Sequence, residues 1–118
     1  MTILSVPNPG GTVSASQELT AGLAAVEKSG GVSDVQPVSL PATTTIGGET
    51  WAQSGITGTA TDNGVAVPGE LIGLANNHPA NSPTTKTYEI YYGGPSLSFQ
   101  QENLLVFQPM LQTFKFTA

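Results

Sequence analysis

The spacing of apolar residues changes character several times along this chain. TILSV, from Thr2 to Val6, is an extended, β-type run, and PNPGG stops it with two prolines and two glycines. Leu19, Leu23 and Val26 then fall at helical spacing. Ser14 and Gln17 are spaced for a capping box, in which each side chain satisfies the other residue's backbone N–H. Glu18 in the first turn and Lys28 in the last suit the helix dipole, and Gly30 supplies a stop. These features predict a helix over Ala15–Ser29.

From Val32 to Tyr92 the pattern is β. VSDVQPVSL reads as a strand interrupted at Pro37, and TTTIGG as a short extended piece with a turn. A Thr-rich strand carrying Trp51 spans Glu49 to Thr61. Asp62-Asn63-Gly64 is a hairpin turn signal, because a type I′ turn needs two positive φ angles. The returning strand puts Val65, Val67 and Leu71 on one face, with a bulge or a sheet edge expected at Pro68. The polar loop Asn76 to Lys86 follows. TYEIYYGG is the last strand, with Tyr88, Ile90 and Tyr92 facing one way and Glu89 and Tyr91 the other.

A second helix begins near Ser98. Phe99, Asn103, Val106 and Met110 form one stripe, with Leu104, Phe107 and Leu111 beside it. So wide an apolar stripe predicts a helix lying flat on the sheet. Pro109 removes one intrahelical bond and should kink or restart the helix near Phe107. A short final strand then puts Phe114 and Phe116 toward the core and Lys115 toward water. Strands in a run, with helices at the ends, predict one α+β domain over residues 1–118. It is an antiparallel β-sheet meander with an N-terminal and a C-terminal helix packed against it, both on one face.

Composition narrows the function. Of 118 residues only 9% are charged, against about 25% in an ordinary domain, and the net charge is −5. Nucleic-acid binding needs clustered cations on phosphates, and the only three are the separated Lys28, Lys86 and Lys115. An anionic membrane surface is disfavoured on the same ground. No stretch approaches the roughly 20 apolar residues of a membrane span. With no cysteine, disulfides and thiolate metal sites are excluded. A surface of Ser, Thr, Asn, Gln and Gly suits an extracytoplasmic protein, secreted or lipid-anchored, whose leader is missing from this chain.

Candidate chemistry is sparse. His78 is the sole histidine, and NNHPAN supplies it no neighbouring nucleophile, carboxylate or metal ligand; it reads as an exposed loop residue. The acidic residues are dispersed, and Asp62-Asn63-Gly64 lacks the later ligands of a calcium loop. The glycine pairs form no phosphate-binding motif, and SGITGTA contains no nucleophile elbow. No catalytic residue, metal site or cofactor is therefore expected. Trp51, Tyr88, Tyr91 and Tyr92 read first as cross-strand aromatic pairs. If a ligand site exists, its candidates are Trp51, Tyr91 and His78.

YEIYYGG, SLSFQQEN and FQPMLQTFKF together resemble the closing segment of PsbP-like domains, an α/β/α-type family. Many members are bacterial lipoproteins of unknown role. In this resemblance Phe107, Met110, Thr113, Phe114 and Phe116 fill the places of the family's closing residues. The Ala15–Ser29 helix and the Trp51 meander follow the family's order. Two departures stand out. The family's opening strands have no counterpart before MTILSV, which suggests truncation and leaves an open sheet edge. The metal-binding histidines and carboxylates of plant members are unmatched too, so no functional residue carries over.

The expected function is a non-catalytic extracytoplasmic binding or accessory domain. One alternative is a small-ligand-binding protein or enzyme using an aromatic cleft near Trp51 and Tyr91. Another is a structural protein that self-associates as a homo-oligomer through the open sheet edge.

Overall fold

A computed structural model describes residues 1–116, apart from the Asp62 side chain. Six strands form one antiparallel sheet. They are β1 (Thr2–Pro7), β2 (Ser33–Pro37), β3 (Thr43–Ile46), β4 (Glu49–Asp62), β5 (Val65–His78) and β6 (Lys86–Pro95). Their spatial order is β1-β6-β5-β4-β2, with β3 sharing the β4 edge. The fold is α+β, as the strand and helix patterns predict.

Helix α1 (Ala15–Ser29) starts and stops at the expected residues. Gln17 N–H donates to Ser14 Oγ at 3.1 Å, and Ser14 N–H donates to Gln17 Oε1 at 3.0 Å. Both halves of the capping box are therefore made. The Gly30 N–H closes the last turn on Val26 O. The hairpin turn at Asn63 and Gly64 has φ of 51° and 80°, the two positive angles of type I′. β4 and β5 pair without a slip from Ala52↔Ala75 to Asp62↔Val65, so Pro68 makes no bulge. It lies beyond Gly69↔Pro95, the last pairing between β5 and β6, where β5 is an edge.

The helices lie on opposite faces of the sheet, which corrects the expectation of one shared face. Alternation along the central strands sends Leu71 and Ala75 toward Leu19 and Leu23 of α1. It sends Ile72, Leu74, Ile90 and Tyr92 the other way, with Trp51, toward Phe99, Phe107 and Leu111. Central strands this apolar on both faces expose hydrophobic surface unless each face is covered.

The C-terminal helical segment restarts after Phe107, as Pro109 predicts, and does so through a wider turn. It runs as α2 (Ser96–Glu102), a π turn (Asn103–Phe107) and α3 (Gln108–Gln112). Pro109 has no N–H, and its ring crowds the carbonyl four residues back. The wider turn before it accommodates this: Gln108 N–H reaches Asn103 O, and Gln108 Nε2 donates to Asn103 Oδ1 at 2.9 Å. One extra residue in the turn rotates everything after it. Phe107 and Leu111 thus join Phe99 in the core, while Leu104, Val106 and Met110 face outward.

From Thr113 to Phe116, the last of the described residues, the chain forms no strand, contrary to expectation. Phe114 and Phe116 nevertheless pack on the core, and Lys115 is exposed. The backbone passes so close to the β3–β4 turn that a Cβ on Gly47 would lie 2.5 Å from Phe114 O.

Candidate functional site

The residues expected near a ligand do not share one cleft. Trp51 and His78 are brought together on the face carrying α2 and α3, with Phe116 between them. Trp51 and Phe116 are parallel at 5.7 Å, and Phe116 and His78 are parallel at 3.9 Å. Phe114 and Tyr88 meet Phe116 edge-on. Trp51 is fully buried in this stack.

His78 ends β5 rather than standing in an exposed loop; it is half-buried. Its Nδ1 lies 3.6 Å from Glu49 Oε1, a carboxylate that local sequence could not supply because it comes from β4 across the sheet. Both groups are partly exposed, so the pair is worth at most about 1 kcal/mol. Among the described residues no group of three His, Cys, Asp or Glu side chains converges as metal ligands.

Tyr91 lies on the opposite face, beneath α1, because residues 90 and 91 point to opposite sides of β6. Its hydroxyl donates to Glu89 Oε1 at 2.5 Å. Glu89 is only 5% exposed. Burial pushes the Tyr91 hydroxyl above its ordinary pKa of 10.0, and the Glu89 hydrogen bond, the Glu89 charge and the Glu18 charge push the same way. The pair fits under α1 because residue 22 is glycine: a Cβ there would stand 1.9 Å from Tyr91 Oη. Trp51 and Tyr91 are thus separated by the sheet itself, and no aromatic cleft joins them.

A second polar cluster on that face joins β1 to α1. Asn8 Nδ2 donates to Val13 O at 2.7 Å and to Thr87 Oγ1 at 3.0 Å. Thr87 donates to Asn77 Oδ1 at 2.6 Å, and Asn77 Nδ2 to Val13 O at 2.9 Å. These donors and acceptors satisfy one another, which makes the cluster a structural staple.

The surface that sequence reasoning missed is apolar. Leu97, Leu104, Leu105, Val106 and Met110 are exposed on the outer side of the C-terminal segment, Leu104 and Leu105 by 65% and 67%. Beside it, Met1, Ile3, Met110, Leu111 and Phe114 line a groove of about 340 Å³ that opens toward β1. Pro109 marks the restart, and the wider turn it demands decides which apolar residues face out. No helix among the described residues is long and apolar enough to cross a membrane. No family profile, curated protein or solved structure matches this chain.

Proposed function

We propose that this chain is a non-catalytic interaction module that works outside the cytoplasm and binds another protein through the outer side of its C-terminal helical segment. The observation that carries this reading is the run Leu104–Leu105–Val106, exposed with Leu97 and Met110 on a segment whose inner side is already filled. Single exposed apolar side chains are ordinary. A contiguous group marks a surface that is covered in use. π turns also recur where a helix carries function. The extracytoplasmic setting is supported by the charge-poor, hydroxyl-rich composition. The likeness to PsbP-like domains rests on the closing residues Phe107, Met110, Thr113, Phe114 and Phe116, and it brings no functional residue with it.

Photo-crosslinking tests the surface. A photoreactive phenylalanine analogue replaces Leu104 in one form of the chain and Ser16, exposed on α1, in another. Irradiation of intact producing cells should give a discrete cross-linked product from position 104 and none from position 16. Equal products from both positions, or none from position 104, would contradict the proposal.

A further inference from the structure

We propose that the cleft over Gly69, beside the C-terminal end of α1, is a binding site for a small neutral aromatic molecule. It lies on the sheet face opposite the exposed Leu104 run and is independent of that surface. The cleft holds about 170 Å³. Three cross-strand pairs of β4 and β5 build it: Ile56↔Leu71, Gly58↔Gly69 and Ala60↔Val67. Ile56 and Leu71 close one end, where they pack with Leu19 and Leu23 of α1. Val26 and Val32 make the walls, and Val26, 36% exposed, leaves the cleft open to solvent.

The middle pair forms a floor without side chains. A glycine inside a strand costs stability, and it recurs where a ligand or another backbone comes close. Every other glycine within the strands is covered. A Cβ on Gly73 would meet the Tyr91 ring at 2.9 Å, one on Gly55 would meet Ile72 at 2.6 Å, and one on Gly94 would meet Glu102 at 3.1 Å. Val32 covers Gly58, and the backbone of Glu70 and Leu71 covers Gly93. Over Gly69 a Cβ would find only Gly94 O, at 3.4 Å. Gly69 pairs on both sides without a slip and lies in ordinary extended strand, so neither a bulge nor a turn requires it.

The sheet itself shows what fits such a position. Tyr91 lays its ring over Gly73, its partner across β5 and β6. Aromatic rings cover strand glycines in this way. The β6 partner of Gly69 is Pro95, and among the described residues no aromatic side chain lines the cleft. A flat ring from outside supplies the missing cover. Size agrees, because an apolar cavity of about 150 Å³ stays dry and takes up benzene. Charge agrees as well. The lining side chains are apolar except Glu70, and alternation sends Glu70 to the other face, beside Tyr92. A charged ring would lose its water here and gain no partner, so the ligand is neutral. A recess with room for one ring suits a free small molecule.

Methyl NMR titration of the full chain with toluene tests this. Signals of Val26, Val32, Ile56, Val67 and Leu71 should shift together and saturate, with half-saturation below about 1 mM. Signals of Leu74, Leu104 and Leu111, on the other face, should stay in place. Methylcyclohexane has the same number of carbons but is not flat, and it should bind clearly more weakly. Gly69→Leu fills the space over the floor and should weaken toluene binding at least about tenfold. Should circular dichroism show that variant unfolded, Ala60→Phe decides: from an exposed position it lays a ring diagonally over Gly69 and should cause the same loss. Shifts that do not saturate, shifts spread evenly over both faces, equal binding of methylcyclohexane, or undiminished binding in the folded blocking variant would each overturn the proposal.

Discussion

The Phe116 ring lies parallel to the His78 imidazole, their centroids 3.9 Å apart and their planes within 2°. Phe116 is therefore a plug held between His78 and Trp51, and the last described residues are part of the core. A fully buried phenylalanine costs about 3–5 kcal/mol on truncation to alanine. Phe116 is half-buried, so Phe116→Ala should cost about 2–3 kcal/mol, measured as a shift in urea midpoint at constant slope. A loss below about 1 kcal/mol would mean the plug is not seated.

His78 should behave as a stacking partner. His78→Phe keeps the ring and removes only the weak pair with Glu49, so stability should change by less than about 1 kcal/mol. His78→Ala loses the stack and should cost about 1 kcal/mol or somewhat more. If His78→Phe proves the more damaging of the two in the same urea titrations, the imidazole nitrogens matter more than the stack.

Tyr91 ties stability to alkaline pH. Its folded pKa is raised above the 10.0 expected in the unfolded chain. The stabilisation is therefore fully present below pH 10 and is lost as pH rises above it through the folded value. Tyr92, also raised by burial, acts in the same direction. Tyr91→Phe should cost about 1–3 kcal/mol near neutral pH, because buried Glu89 loses its donor. It should also reduce the loss of stability between about pH 9 and about pH 12, measured by urea unfolding across that range.

Gly22 supplies an independent check on the same pair. Alanine in a helix interior is normally better than glycine by about 1 kcal/mol. Here Gly22→Ala should destabilise by about 1–3 kcal/mol, since the new methyl meets the Tyr91 hydroxyl. Removing that hydroxyl relieves the worst contact, although Glu89 Oε1 at 2.8 Å and the Tyr91 ring carbon at 3.2 Å stay close. Combined with Tyr91→Phe, Gly22→Ala should cost clearly less than it does alone. Thermal or urea denaturation of the four proteins in this double-mutant cycle measures the difference.

Leu104→Ser and Leu105→Ser should each change stability by less than about 0.5 kcal/mol, because both side chains are already exposed. Leu104→Ser should still diminish cross-linking to the partner from a photoreactive group placed at the neighbouring position 105. Equal stability with equal cross-linking would show that the exposed run is not a working surface.

Much of the fold was legible in the sequence because local signals there agreed with one another. The capping box, the Gly30 stop and the Leu19–Leu23 spacing gave α1 its full range. Asn63-Gly64 set the register of the longest hairpin. Face assignment was not legible. Alternation tells which residues share a side, but not which helix covers that side, so the helices were expected on one face. The aromatic candidates failed for a related reason. Trp51 and Tyr91 differ in facing, and facing across strands depends on a register that composition does not fix. In the C-terminal segment, a single extra residue per turn exchanged Val106 and Met110 for Phe107 and Leu111 in the core.

The most direct measurement of the central claim is photo-crosslinking in intact producing cells with the photoreactive analogue placed in turn at positions 97, 104, 105 and 110, and at Ser16 on α1. The four C-terminal positions should give the same discrete product while position 16 gives none. No product from the C-terminal positions, or an equal one from position 16, would contradict the account.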